Sequence, residues 1–480
     1  MDTRTPCSAP EREPLYAKSR VIIDESLDSC AHAGADLSVA HSATVTSVKR
    51  FQEMMVQAHT AEVMSEQISW KCPQCGVLLA FHDTQVKQVV SPEGVAEYQR
   101  GRYRCGQCGE EYVPADEVND LERTGFTLDS REAVATNASG ETYRDVVEGV
   151  GPSLVVSRQT VARMVTEVAG WCGAEQEQAL AGAFGDLEKP GPMPSGEGNV
   201  LASSWKLKEL PADTAICLSA DGGKLRTCEK RADGSVEWRE GRVATISVTS
   251  EGKQLPLEKA GGKLYLGRVM TTMQTIALLA AGYFGLPAEL RGLPVYFIGD
   301  GGPWWEWVSA YLPKAVQILD IFHAGEQSVK AAKLCFAEDP AELGCWHKHI
   351  REWLLEKGGV EKVIDALSQA CPDASLAPVA HHEVQLCIAY LEGHKHRMRY
   401  SEFAAMGWSI GSGVIESAVD QVMAERLRLS GMKWNIDHAD DVMCLRSAVL
   451  SGEMPAVIHR RKDACRQRAA RYLEPLRQAA

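Results

Sequence analysis

Two apolar runs, Ile216-Cys217-Leu218-Ser219-Ala220-Asp221-Gly222-Gly223 and Val295-Tyr296-Phe297-Ile298-Gly299-Asp300-Gly301-Gly302, each end in Asp-Gly-Gly. Short continuous apolar stretches bounded by glycine predict buried strands. A buried strand that delivers a carboxylate at its mouth, followed by glycines that admit backbone or phosphate, is a common construction for metal-dependent phosphoryl transfer. The pair sets a search for a third carboxylate.

Working outward, residues 215–220 with Asp221, an extension at 225–228, and stretches at 236–238 and 243–248 predict an antiparallel meander. A helix over about 270–282, the strand ending at Asp300, a helix over 304–312 and a strand over 315–321 containing Asp320 follow, with His323 close behind. Three antiparallel strands, a helix, then strand, helix and strand is the order of a ribonuclease H-like α/β fold. Residues 324–408 read as a helical insertion from the spacing of Trp346, Ile350, Trp353 and Leu354, and of Val360, Val363, Ile364 and Leu367. Beyond it comes Gly407-Trp408-Ser409-Ile410-Gly411-Ser412-Gly413-Val414-Ile415-Glu416, where Ser412 is suited to cap a helix with Glu416 in its first turns. Glu416 is the third carboxylate.

Upstream, Cys72-Pro-Gln-Cys75 and Cys105-Gly-Gln-Cys108 flank strand-like stretches at 77–81, 86–90 and 95–103. Two such knuckles around a hairpin predict a zinc ribbon, four thiolates closing a structural Zn²⁺ site. Arg100, Arg102 and Arg104 alternate along the last stretch and share one face. They suit either a nucleic-acid backbone or the solubility of an exposed strand. Residues 130–171 predict helices, one capped by Ser139 and closed near Gly149, the next capped by Ser157 with Val161, Met164, Val165 and Val168 on one side. This is a helix-turn-helix outline exposing Arg158, Gln159 and Arg163, and plain helical packing fits equally.

The domains expected are a loosely ordered leader (1–45), a helix plus zinc ribbon (46–115, the helix over 46–68), a helical DNA-binding region (116–189), and a linker rich in Pro, Gly and Ser (190–211). The catalytic core follows at 212–323, interrupted by the insertion (324–408), then the Glu-bearing part (409–452) and a basic tail (453–480). A net charge of -13 argues against a uniformly basic nucleic-acid binder, but between Arg460 and Arg477 seven basic residues face two acids. No run of apolar residues is long enough for a membrane span and no secretory leader is visible, so a cytoplasmic, nucleoid-associated protein with no membrane partner is expected. Most of the 15 cysteines sit singly among apolar neighbours, as reduced core thiols do.

The set Ser219-Ala-Asp-Gly-Gly223, Ile298-Gly-Asp-Gly-Gly302, Ile318-Leu-Asp-Ile-Phe-His323, Ile410-Gly-Ser-Gly-Val-Ile-Glu-Ser417 and Glu425-Arg-Leu-Arg-Leu-Ser-Gly-Met-Lys-Trp434 resembles bacterial insertion-sequence transposases of the ISKra group, DDE enzymes related to Mutator-like elements. The resemblance covers about 213–452. It implies a ribonuclease H-like core that cleaves transposon-end double-stranded DNA and joins it to target DNA, working as a homo-oligomer. Carried over, Asp221, Asp300 and Glu416 are the catalytic acids holding two Mg²⁺ (or Mn²⁺) ions, with Asp221 bridging both. Asp320 and His323 form an accessory pair beside them. Asp320 stays a rival for the second acid, and His323 reads either as a core histidine or as a helper orienting DNA. Arg426, Arg428, Lys433 and Trp434 are suited to phosphates and a terminal base, though packing would also explain Trp434. A ribonuclease H-like nuclease or resolvase, and a non-catalytic DNA-binding derivative, are the competing functions.

Overall fold

A computed structural model of the chain describes residues 9–33, 37–63, 70–92, 94–149, 154, 156–184, 210–255, 263–336, 340–371 and 378–470. The protein is mixed α/β and divides into two compact units, residues 1–164 with 455–480, and residues 165–454.

In the first unit, helices Ala9–Ala33 and Leu37–Val63 precede a three-stranded antiparallel sheet of β1 (Leu79–Ser91), β2 (Gly94–Cys105) and β3 (Glu111–Tyr112). The expected leader is therefore helical over 9–33. Pro10 falls in the first turn, where no amide donor is needed, and Pro14 is accommodated inside the helix. The helix expected over 46–68 begins earlier, at Leu37, and residues 64–69 lie outside the described residues. The stretches at 77–81 and 86–90 belong to one strand that runs through a register shift between Phe81 and Asp83.

Helix Leu128–Gly140 is capped by Thr127, whose side chain accepts from the Ser130 amide. Ser139 thus lies at the end of that helix, its hydroxyl donating to the Thr136 carbonyl at 2.7 Å, and the next helix, Tyr143–Gly149, is capped by Thr142, which accepts from the Asp145 amide at 3.3 Å. Ser157 does cap its helix, Arg158–Phe184, by accepting from the Thr160 amide at 3.1 Å. Val161, Met164, Val165 and Val168 are buried as expected, while Arg158, Gln159 and Arg163 are exposed. At 27 residues this helix is longer than the outline implied. The basic tail is helical from Met454 to Ala470, and its cations are engaged: Arg461 and Arg468 grip Asp120, and Lys462 pairs with Asp129. Asp120 also binds Arg131, which is 1% exposed. Burial pushes the Asp120 carboxyl up, but hydrogen bonds and charge from Arg461, Arg468 and Arg131 outweigh it and hold the carboxyl below its ordinary range.

The second unit is built on a mixed sheet in the order β6-β5-β4-β8-β9, with β7 on the other stretch of β5: β4 (Ala215–Lys230), β5 (Val236–Ser250), β6 (Lys253–Gln254), β7 (Lys263–Arg268), β8 (Val295–Gly299) and β9 (Val316–Leu319). β7, β5 and β4 are antiparallel, and β4, β8 and β9 run parallel. Two expectations change. The stretches at 236–238 and 243–248 are one strand, and the third antiparallel strand is β7, whose Leu264-Tyr265-Leu266 is too short to stand out between polar flanks. β4 also does not stop at Asp221-Gly222-Gly223, because β5 pairs with it out to Lys230. The expected linker at 190–211 lies outside the described residues except for 210–211.

Both faces of the sheet are covered, which is why its central strands read as apolar throughout. Helix Thr272–Phe284, started by a Thr271–Gln274 capping box, packs on one face so closely that a Cβ on Gly282 would meet Ile246 at 3.0 Å and Leu264 at 3.1 Å. On the other face Gly241 lies under Met423 and Met443, and Gly267 under Val422 and Ser447. Helix Trp305–Tyr311 links β8 to β9. Asp320 is not on a strand: β9 ends at Leu319, and Asp320 caps helix Ile321–Cys335, the first of the inserted helices. The chain returns through Trp408, stacked on Tyr296 at 5.0 Å, and Ser409, whose amide donates to the Tyr296 hydroxyl at 3.1 Å. Among the described residues no helix is long and apolar enough to cross a membrane.

Removing the Asp120 carboxylate takes away the anion that the buried Arg131 shares with Arg461 and Arg468. Asp120→Ala is expected to destabilise the first unit by about 3–5 kcal/mol in urea unfolding. Because the folded carboxyl sits below its ordinary range, its contribution is present above the ordinary aspartate value and is lost as pH falls through the lowered one. The variant should therefore show a shallower acid limb than the wild type.

Candidate active site and metal centre

The first site follows from strand register. Leu79 pairs with Cys105, so the hairpin brings the turn before β1 and the turn after β2 to the same end. Each turn is a knuckle closed by a left-handed glycine: Gly76 (φ 70°) donates to the Cys72 carbonyl at 2.8 Å, and Gly109 (φ 78°) to the Cys105 carbonyl at 3.0 Å. The Gln107 and Cys108 amides point at the Cys105 sulfur, at 3.4 and 3.5 Å. The ligand atoms of Cys72, Cys75, Cys105 and Cys108 all lie within 4.8 Å of one another, a set that could hold a metal ion such as zinc. Burial opposes ionisation of Cys72, but the Tyr112 hydroxyl and the amides of Cys75 and Gln74 bring its thiol down to about 6. The thiolate a metal needs is thus already favoured at that position.

The arginines on β2 are less free than their alternation suggested. Arg100 is bound to the buried Asp116, which Lys87 and Tyr98 also reach, and Arg102 makes a forked pair with Asp83 at 2.6 and 3.0 Å. Arg104 is exposed and touches only the Gly109 carbonyl among the described residues.

The second site lies where β8 and β9 end beside the middle of β4. Ser219 pairs with Ile298 and Ile298 with Ile318, so the register brings Asp221 on β4 level with Asp300 and Asp320, which follow the last residues of β8 and β9. The carboxyl ends of parallel strands form such a crevice in open α/β sheets. Glu416 comes from helix Gly413–Val419, which packs against β4 and β5.

The four acids are not equivalent. Asp221 Oδ1 accepts from the Gly222 amide at 2.7 Å. Asp300 Oδ1 accepts from Trp304 Nε1 at 2.9 Å and the Gly302 amide at 3.2 Å. Glu416 Oε1 accepts from the Ser412 hydroxyl at 2.6 Å. The second oxygen of each accepts no hydrogen bond among the described residues. Amides hold both oxygens of Asp320: Oδ1 accepts from Phe322 (3.2 Å) and Ser412 (3.1 Å), and Oδ2 from His323 (3.1 Å), with the Ser412 hydroxyl that donates to Glu416 lying 3.0 Å from Oδ2. Three carboxylates therefore each keep one oxygen open, and Asp320 keeps none. Burial pushes the Asp221 carboxyl up, and the charges of Asp300 and Glu416 add to it against the Gly222 amide and Arg242.

Several neighbours were not visible in the sequence. Trp304, 2% exposed, fixes the Asp300 carboxylate, and the Arg242 guanidinium lies 4.8 Å from the Trp304 ring centre. Tyr390, from the inserted helix Pro378–His394, brings its hydroxyl against Gly301, whose left-handed backbone (φ 65°) and missing Cβ make the approach possible. Its ring packs on His394 at 4.6 Å and on His323 at 6.4 Å, and burial raises its hydroxyl to about 12. Lys263 on β7 donates to the Val414 carbonyl at 3.0 Å, tying down the helix that carries Glu416, and burial lowers its ammonium to about 8. The Arg242, Tyr390 and Lys263 contacts were not legible because each joins segments remote in sequence, whereas Trp304 lies only four residues from Asp300.

His323 is half-buried, with Nε2 3.3 Å from the Gln327 amide nitrogen. Trp434 is a packing residue: its Nε1 donates to the Leu427 carbonyl at 3.0 Å, its backbone bridges to β4, and Arg426, 2% exposed, stacks on it at 5.1 Å. Neither can meet a base without leaving that packing. Arg428 and Lys433 are exposed, and Arg428 lies over Gly223, two residues from Asp221, where any Cβ would overlap its guanidinium.

Cys105→Ser should lower bound zinc from about one ion per chain to near none by elemental analysis, and reduce the melting temperature of the first unit. Asp221→Asn should raise the melting temperature of metal-free protein at neutral pH. A carboxyl raised by burial and like charge stabilises the fold only while protonated, and that stability is lost as pH rises through its elevated value. The neutral amide removes this dependence, so a melting temperature that falls would refute the crowding of charge at the site.

Searched against protein-family models and against curated proteins, the chain matches none.

Proposed function

We propose that the protein is a DDE transposase of the ISKra type, with Asp221, Asp300 and Glu416 as its catalytic acids. The single observation that carries this reading is the asymmetry among four neighbouring carboxylates: three keep an open oxygen, while backbone amides occupy both oxygens of Asp320. The strand order β7-β5-β4-β8-β9, with the first three antiparallel and the last three parallel, supports a ribonuclease H-like core. The open oxygen of Asp300, against the occupied ones of Asp320, supports Asp300 as the second acid.

The donor set is suited to Mg²⁺ or Mn²⁺, hard cations that prefer carboxylate oxygen. Two such ions about 4 Å apart would activate the attacking hydroxyl and stabilise the leaving oxygen. The chain's own part is to hold these oxygens still. Trp304 and the Gly302 amide set the plane of Asp300, and the Gly222 amide sets that of Asp221. Gly223 leaves room beside Asp221 for Arg428, an exposed cation suited to a DNA phosphate. In the first unit the exposed Arg158, Gln159 and Arg163 offer a surface for element-end DNA, with the cysteine cluster as a structural zinc site.

Labelled element-end DNA incubated with the protein and Mg²⁺ or Mn²⁺ should be cleaved and joined to a target. Asp221→Asn, Asp300→Asn and Glu416→Gln should each lower the rate by roughly 10²-fold or more. Cleavage that survives all three changes would reject this site, and cleavage without joining would make the protein a nuclease or resolvase.

A further inference from the structure

We propose that Asp320 and Ser412 are a positioning pair, in which Asp320 holds the Ser412 backbone amide and the Ser412 hydroxyl fixes the Glu416 carboxylate, and that Asp320 holds no cation itself. This rests on the reading of Asp221, Asp300 and Glu416 as the metal-binding acids.

Asp320 is 3% exposed and sits at the junction of β9 and the first inserted helix. Two of its donors are the opening amides of that helix, and a third is the backbone amide of Ser412, 92 residues later. The Ser412 hydroxyl lies 3.0 Å from Asp320 Oδ2 and 2.6 Å from Glu416 Oε1, and its one proton goes to the shorter contact. Asp320 therefore holds Ser412 through the backbone and Ser412 holds Glu416 through the side chain, so the chain from β9 to Asp320 to Ser412 to Glu416 is continuous.

The local backbone shows that this is not ordinary capping. A serine before a helix usually turns its Oγ back to accept the amides three residues on. Here the amides of Ile415 and Glu416 go to the Ser412 carbonyl instead, at 2.8 and 3.1 Å, which frees the hydroxyl. Ile321 donates to the Ile410 carbonyl at 3.0 Å, so the two segments are also stitched through the backbone beside the pair. Gly411 is packed against the Phe322 ring, 2.8 Å from where its Cβ would stand, so a larger residue there would push that ring aside. The position of the third acid is thus set from the end of the third parallel strand, across the whole helical insertion. Partners of this kind, hydrogen-bonded to a ligand without touching the cation, commonly tune metal affinity by 10- to 100-fold.

The test reads Mn²⁺ affinity in the full chain without DNA, by the electron-paramagnetic-resonance signal of free Mn²⁺, alongside kcat and KM for end cleavage. Ser412→Ala keeps the backbone donor to Asp320 and removes only the hydroxyl. It should weaken Mn²⁺ binding and lower kcat by roughly 10- to 100-fold. KM for DNA and the metal-free melting temperature should stay near those of the wild type. Ser412→Thr should restore both losses to within about threefold of wild type, because the hydroxyl returns. Asp320→Asn should resemble Ser412→Ala, not Asp300→Asn. Wild-type Mn²⁺ binding in Ser412→Ala, or complete loss in Asp320→Asn with Ser412→Ala unaffected, would overturn the pair while leaving the three acids in place. Glu416→Gln that binds Mn²⁺ and cleaves like wild type would instead reject the triad, and the pair with it.

Discussion

The parallel register of β4, β8 and β9 is the constraint on which the second unit depends. Pairing of Ser219 with Ile298 and of Ile298 with Ile318 brings three aspartates level with one another, and a slip of one residue would turn Asp221 to the opposite face of the sheet. That register is held by burial on both sides: Ile216, Leu218, Ile246 and Leu264 under one helical layer, and Val422, Met423 and Met443 over the other. The long antiparallel pairing of β4 with β5 keeps the first aspartate's strand straight through its glycines, where a free strand end would flex.

Packing like charges together costs free energy, and the protein handles its buried acids in two different ways. Asp116 and Asp120 in the first unit are surrounded by cations, and Asp320 in the second is surrounded by hydrogen-bond donors. These acids are spent on structure. Asp221, Asp300 and Glu416 are each given one ordering hydrogen-bond arrangement on one oxygen and left open on the other, which raises the Asp221 carboxyl in the absence of a cation. Unpaired negative potential in a rigid crevice is costly for the fold and useful for binding hard cations.

The two halves differ in how openly the sequence declares them. The cysteine cluster was legible because metal ligation demands fixed residue types at fixed local spacing, and the hairpin register that unites Cys72 and Cys75 with Cys105 and Cys108 follows from the strands between them. The strands ending near Asp221 and Asp300 were legible for a similar reason, as buried parallel strands have no polar face. β7 was not, since six residues with Lys263 and Arg268 at the ends carry little pattern of their own. The leader was misread because proline counts against a helix except in its first turn. The arginines of β2 and the Arg426–Trp434 stack looked available for nucleic acid, because a sequence does not show that Asp116, Asp83 or the Leu427 carbonyl already occupies them.

By itself the sequence determined the chemistry that could be present: four thiols in two knuckles, two strand-end aspartates before glycines, and a glutamate in a glycine-rich turn. Local spacing and apolar periodicity are enough for that, since both are properties of neighbouring residues. Only the tertiary structure decided which acids stay open. Asp300 and Asp320 look alike in the chain, each following a short apolar strand. They part because Trp304 takes one oxygen of the first, whereas amides, that of Ser412 brought across the inserted helices among them, occupy both oxygens of the second. Hydrogen-bond saturation is a property of the finished packing, and no local pattern encodes it.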